Sequence, residues 1–219
     1  MGTSLNLFDD EEIAQTGRER IGAQSMVLRG YALPAAQALL AGVDTVRRQA
    51  PFRRMVTPGG LPMSVALTNC GRHGWTSDEH GYRYTREDPL SGLPWPAMPE
   101  AFDTLARAAA LAAGFPGFAP DACLVNRYQP GSRLSLHQDK DERDYGAPIV
   151  SVSLGMPAVF LFGGHARGDR AVHVPLFHGD VVVWGGVDRL RYHGVLPLKD
   201  RPHPTLGSVR INFTIRQAG

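Results

Sequence analysis

From Ala122 to the end of the chain, short runs of β-forming residues recur: "ACLVNRY", "RLSLHQD", "PIVSVSLG", "AVFLFGG", "AVHVPLF", "DVVVWGG", "LRYHGVL" and "SVRINFTIR". Gly, Pro and Asp punctuate them, so eight strands are joined by tight turns. A chain of this kind closes into a jelly roll or barrel. Two helical stretches precede it. "PAAQALLAGVDTVRRQA" starts at Pro34, a residue suited to a first helical turn, and places Leu39, Leu40, Val43 and Val46 on one face. "PEAFDTLARAAALAAGF" starts at Pro99, is expected to bury Phe102, Leu105, Ala109 and Leu111, and stops at Gly114. Both read as covers for a sheet, so the expected class is mainly β with flanking helices.

At 219 residues the chain suits a single sizeable domain. The boundaries expected are a flexible, polar N-terminal arm over residues 1–22 and one domain over 23–219. Within it, residues 51–98 are rich in Gly, Pro and aromatics, with one strand around 62–69 followed by a long irregular stretch. Runs of that kind inside a compact domain are usually lids or binding loops. The net charge of +2 permits a polyanionic partner without demanding one. Cys70 and Cys123 are the only cysteines and form no C-x-x-C pair, which argues against a disulfide framework or a cysteine zinc site and for buried, reduced thiols. No apolar run approaches the roughly 20 residues of a membrane span, and "MGTSLNLFDDEEIAQTG" lacks signal-peptide character. A cytoplasmic protein with no membrane partner is expected.

The chemistry concentrates in "NRYQPGSRLSLHQDKDE". Residues i and i+2 of a strand project to one side, so His137 and Asp139 can grip a common ion. His178 and Asp180 share the H-x-D spacing, but the Gly between them and the apolar strand that follows mark a turn. His193 in "RYHGVLP" lies far enough beyond Asp139 for several strands to return the chain beside it. Two His and one carboxylate leave three positions of an octahedral metal open, as non-heme Fe(II) requires, although the same donors can also hold zinc. The last strand narrows the choice. In "VRINFTIR", Arg210, Asn212, Thr214 and Arg216 share one face, and Val209, Ile211, Phe213 and Ile215 the other. Two Arg on the polar face of a core strand call for an anionic occupant, and the guanidinium fork matches a carboxylate. The two stand about 20 Å apart at roughly 3.3 Å per residue, so they cannot grip one group side by side.

With these residues in view, the chain resembles the AlkB family of Fe(II)- and 2-oxoglutarate-dependent nucleic-acid dealkylases along nearly its whole length. The resemblance is carried by "PFRRMVTPGG", "MSVALTNCG", "WPAMP", "PDACLVNRYQPGSRLSLHQDKDE", "APIVSVSLG", "HGDVVVWGG", "YHGVLPL" and "RINFTIRQAG". It implies a double-stranded β-helix with a nucleotide-recognition lid, and His137, Asp139 and His193 as iron ligands. It implies 2-oxoglutarate held by Asn126, Tyr128, Arg210 and Arg216, with Asn212 close by. The expected split gives Arg210 the distal carboxylate and Arg216 a role beside the metal. O2 is the second cosubstrate, and N-alkylated bases such as N1-methyladenine and N3-methylcytosine would be demethylated with release of formaldehyde.

For the substrate, the resemblance points to Trp75, Tyr82, Tyr84, Asp141 and Arg167. An extruded base needs an aromatic platform, although Trp75 packed in a core is an equal reading. An acidic Asp141 would favour a cationic methylated base, unless it is simply a solvated member of the turn "DKDERD". Arg127, Arg133, Lys140 and Arg170 are candidates for phosphate contacts. The expected partner is single- or double-stranded DNA, with RNA as an option, bound by a monomer. Arg191, two residues before His193, departs from the apolar residue expected there. The alternatives are a 2-oxoglutarate-dependent enzyme acting on a protein or small molecule, and a nucleic-acid-binding module with a dead metal site.

Overall fold

Strand β13 (Arg210–Arg216) lies inside the larger of two facing sheets, and its alternation decides what each side of that sheet does. The computed structural model describes residues 16–219. The preceding strands are β1 (Gly17–Gly22), β2 (Ser25–Arg29), β3 (Ala66–Gly71), β4 (Gly74–Asp78), β5 (Gly81–Thr85), β6 (Ala122–Tyr128), β7 (Leu134–His137), β8 (Ile149–Gly155), β9 (Ala158–Phe162), β10 (Val172–Leu176), β11 (Val181–Trp184) and β12 (His193–Val195). The helices are α1 (Ala36–Gln49) and α2 (Glu100–Ala112). The large sheet runs β1-β2-β11-β8-β13-β6-β3, the facing sheet β10-β9-β12-β7, and β4-β5 form a separate hairpin. All eight strands expected after Ala122 are present, and their paired ladders are antiparallel, as a jelly roll requires.

The apolar face of β13, Ile211, Phe213 and Ile215, packs with Leu39, Val43 and Val46 of α1 and Phe102, Leu105 and Ala109 of α2. Burying such side chains contributes roughly 1.5–3 kcal/mol each. The helices therefore cover the outside of the large sheet, leaving its polar face toward the small sheet. A second apolar cluster, including Phe160, Phe162, Val174 and Trp184, joins the two sheets.

Four expectations need correction. Residues 17–22 of the expected arm form β1, a mostly exposed edge strand paired with β2; residues 1–15 lie outside the described residues. An edge strand solvated on both faces has no apolar period to reveal it, and charged side chains discourage pairing with other chains. Leu111 is 63% exposed, because the buried stripe of α2 runs through Phe102, Leu105, Ala106, Ala109 and Ala110, and residue 111 turns past its edge. The stretch expected to be irregular after residue 69 contains the β4–β5 hairpin. Its residues "GWTSD" and "GYRYT" are half polar and hid their pairing. β3 also falls inside the expected lid, yet it pairs with β6 as the edge of the large sheet.

Gly155 ends β8 with φ +91°, and a Cβ there would press into the carbonyl oxygen of Val209. It is also the register partner of Arg210. Gly155→Ala should therefore destabilise the fold by roughly 2 kcal/mol or more, read as a lower midpoint in urea unfolding.

Candidate metal centre and cosubstrate pocket

The small sheet supplies two imidazoles. His137 ends β7 and His193 starts β12; they are direct register partners, with ring centroids 4.5 Å apart. Asp139 sits just past the end of β7, 3.7 Å from Nε2 of His137 and 3.6 Å from Nε2 of His193. One donor atom from each of the three lies within 4.8 Å of the others, the arrangement expected around one ion. Nδ1 of His137 lies 2.8 Å from the Ser135 carbonyl and Nδ1 of His193 lies 3.1 Å from that of Arg191. Each Nδ1–H thus donates to a carbonyl, which leaves the Nε2 lone pair for a metal.

Charge around the triad is arranged to the same end. Burial and the neighbouring His193 push the His137 pKa down to about 4, so the ring is neutral at pH 7. Burial opposes the Asp139 charge, but Arg216 and the two imidazoles outweigh it and hold the carboxyl well below its ordinary range. Arg216 donates from Nη2 and Nε to Asp139 Oδ2, at 2.6 and 3.1 Å. That pair fixes one carboxylate oxygen and leaves the ligand anionic.

The other end of β13 faces a different need. Register places Arg210 opposite Tyr128 and Asn212 opposite Asn126, so four of the five residues expected at the cosubstrate lie together on neighbouring strands, with Arg216 at the far end of β13. Arg210 is 1% exposed; its Nη2 donates to Ser153 Oγ at 2.9 Å, and Nε and Nη1 have no hydrogen-bond partner. The Tyr128 hydroxyl beside it is also unpartnered, and burial pushes its pKa up to about 12. A buried guanidinium with unmet donors and no carboxylate partner among the described residues calls for an anion. A carboxylate end of 2-oxoglutarate fits that requirement. Asn212 has a more internal role, since its Nδ2 donates to Ser151 Oγ and the Val152 carbonyl at 2.8 and 2.9 Å.

The rival H-x-D is a turn. Asp180 accepts from the Gly30 and Phe177 amides and pairs with Arg29 at 2.6 Å, while His178 Nδ1 accepts from the Gly155 amide. Arg191 turns its guanidinium to Asp188 and lies over the Phe162 ring, so its charge is spent away from the triad.

In the lid, the Trp75 and Tyr82 rings stack at 5.5 Å with planes 15° apart. Trp75 Nε1 donates to Asp141 Oδ2 at 2.8 Å, while one side of the indole packs against the cluster of Met55, Leu67 and Leu124. The packed reading of Trp75 is thus realised in part, with the indole half-buried. Tyr84 donates its hydroxyl to Glu142 at 2.8 Å and accepts from Arg216 at 3.3 Å. Arg167 is exposed and lies 5.4 Å over the Tyr192 ring, one residue from His193. Arg127, Arg133, Lys140 and Arg170 are all exposed.

Two buried residues escaped the sequence reading. Glu142 and Arg189, 6% and 3% exposed, approach within 3.0 Å behind the triad. "DKDERD" reads as a solvated charge run, and no periodicity picks out one burying member. Arg189 lies in "GVDRLRYH", where the short spacing to His193 is the only available hint.

The 2OG-Fe(II) oxygenase superfamily matches residues 24–216. The alpha-ketoglutarate-dependent dioxygenase AlkB of Salmonella typhimurium is 58% identical, with 98% of each chain covered, and that of Escherichia coli is 55% identical over the same shares. The chain belongs to the AlkB family. A solved structure, OsALKBH1, superposes with a TM-score of 0.76 at 27% identity, covering 92% of this chain and all of the other. Membership makes this AlkB-family chain a 2-oxoglutarate-dependent Fe(II) dioxygenase, in agreement with the donor set and the unpaired Arg210.

Arg210→Lys keeps a charge but loses the fork, so the apparent affinity for 2-oxoglutarate should fall about tenfold or more, measured by calorimetry on Mn(II)-loaded protein. His178→Ala should leave Mn(II) binding unchanged in the same instrument.

Proposed function

We propose that this protein repairs N-alkylated bases in DNA, and in RNA as a second substrate, by oxidising the alkyl group so that it leaves as formaldehyde. His137, Asp139 and His193 hold the iron, Arg210 holds a carboxylate of 2-oxoglutarate with Tyr128 and Asn126 beside it, and Arg216 fixes Asp139. When bound, Fe(II) with 2-oxoglutarate and O2 supplies the oxidation. The chain's own task is to bring one alkyl carbon to that centre and to keep water from it.

The observation that carries the reading is the stacked Trp75–Tyr82 pair, tied through the indole N–H to Asp141, two residues beyond the ligand Asp139. A base drawn out of a strand needs a flat apolar surface, and such stacking contributes about 1–3 kcal/mol per base. Exposed Arg127, Arg133, Arg167, Lys140 and Arg170 are available to phosphates; Lys140 directly follows Asp139 in the chain, and Arg167 lies over the Tyr192 ring next to His193. Residues 51–98 act as the lid, with the hairpin as its working part and β3 as its anchor. A monomer working in the cytoplasm completes the proposal; no described helix is long and apolar enough to cross a membrane.

The test is mass spectrometry of a methylated single-stranded oligonucleotide after aerobic turnover with Fe(II) and 2-oxoglutarate. Loss of one CH2 per lesion with matching formaldehyde supports the proposal; consumption of 2-oxoglutarate without it overturns the substrate class.

Trp75→Ala should weaken oligonucleotide binding and repair while leaving Mn(II) and 2-oxoglutarate binding near normal, measured by fluorescence anisotropy and calorimetry. Asp141→Asn keeps an oxygen to accept from the indole and removes only the charge. A carboxylate about 4 Å from a cationic base gains roughly 4 kcal/mol at an effective dielectric of 20, and desolvation takes back much of it. A net preference of about 1–2 kcal/mol remains, so kcat/KM for N1-methyladenine and N3-methylcytosine should fall about five- to thirtyfold. Neutral N1-methylguanine and N3-methylthymine should change little. Equal losses on all four would place Asp141 in the support of Trp75 instead.

A further inference from the structure

The two imidazoles of the triad meet on paired strands, whereas the third ligand stands outside that ladder. Asp139 lies in the loop after β7, and His193 follows the short 3-10 turn Gly186–Asp188. Arg189, at the end of that turn, reaches across to the loop and spends its guanidinium there. Nη1 donates to the backbone carbonyl of Asp139 at 2.7 Å and Nε to that of Ala147 at 3.2 Å. Nη2 lies 3.0 Å from Glu142 Oε2, and the Tyr145 ring sits 5.5 Å from the guanidinium carbon. A second tie runs the same way, from Gln138 Nε2 to the Leu190 carbonyl at 2.6 Å.

We infer that Arg189 is a positioning residue that holds the metal ligand Asp139 in place and, through Glu142, joins that ligand to Tyr84 of the lid hairpin. Glu142 is the shared element. Its Oε1 accepts from the Tyr84 hydroxyl at 2.8 Å and lies 3.3 Å from Arg216 Nε, and Arg216 is also the partner of Asp139. Two carboxylates thus compete for Arg216, and the Arg189 guanidinium, an ion-pair contact 3.0 Å from the second oxygen of Glu142, offsets that charge and limits the competition. Without it, a carboxylate with 2% side-chain exposure would draw Arg216 away from Asp139. The carbonyl bond adds a direct effect, since it fixes the backbone from which the Asp139 carboxylate projects. Partners of this kind typically affect metal affinity by 10- to 100-fold.

The inference rests on the triad as a metal site but not on the substrate, so its test uses Mn(II) alone. Arg189→Lys keeps the charge, yet one ammonium cannot serve two carbonyls and a carboxylate at these positions. Its Mn(II) affinity, read by titration with electron paramagnetic resonance, should fall about tenfold or more while the thermal midpoint moves only a few degrees. The pair Arg189→Met with Glu142→Gln removes both buried charges and with them the competition for Arg216; it should restore the thermal midpoint lost in the single Arg189→Met variant and recover only part of the Mn(II) affinity, because the bond to the Asp139 carbonyl is still missing. Wild-type Mn(II) affinity in Arg189→Lys, or its full return in the double variant, would overturn the inference and leave Arg189 as a counter-charge for Glu142. A failure of oligonucleotide demethylation would leave these outcomes readable.

Discussion

Two guanidinium groups are buried on the inner face of a single core strand, and the rest of the molecule is arranged around that fact. Removing a charge from water costs several kcal/mol unless a partner stands ready. Arg216 finds its partner in Asp139, a residue that also belongs to the metal triad. Arg210 has no carboxylate partner among the described residues and keeps unmet donors beside the Tyr128 hydroxyl. A strand that carries such a face cannot gain its stability there. The compensation comes from the opposite face, where Ile211, Phe213 and Ile215 meet the two helices, so the large sheet is a stable wall on one side and a charged cavity lining on the other.

This division explains which features were legible in the sequence. Strict alternation in "VRINFTIR" exposes both faces at once, and the eight β runs are bounded by turn residues that admit few other readings. His137, Asp139 and His193 were legible because ligand chemistry restricts residue type. What escaped lacked a local apolar period or was set by which contact each loop side chain makes. β1 is an exposed edge strand without an apolar period, and the β4–β5 hairpin pairs two half-polar runs across a short turn. Glu142 sits in a run of charges in which Asp139, Asp141 and Glu142 meet three different fates: metal ligand, acceptor for an indole, and buried counter-ion. A loop can assign neighbouring side chains to different surroundings, and no local period records the assignment.

Trp75 shows why the lid was the hardest part to read. The indole packs on an apolar cluster, stacks with Tyr82 and donates to Asp141, so contacts from three directions of the chain fix one side chain. Gly74 beside it has the Trp95 ring so close that no Cβ fits, which lets the hairpin settle onto its support. Under the proposed function, a ring pair fixed in this way receives a base without first having to order itself, and the entropy cost of binding falls accordingly.

The two halves of the site also depend on each other through charge. The triad offers one carboxylate and two neutral imidazoles to a divalent cation, so a metal bound there leaves net positive charge within the cavity. Arg210 adds a further positive charge on β13, and under the proposed function a dianionic cosubstrate answers both. Either ligand alone would place an uncompensated charge in a space walled by Phe160, Phe162 and Trp184, where the effective dielectric is low. Metal and 2-oxoglutarate each lower the cost of holding the other, which is how a fold with a permanently charged interior can stay stable and still bind both.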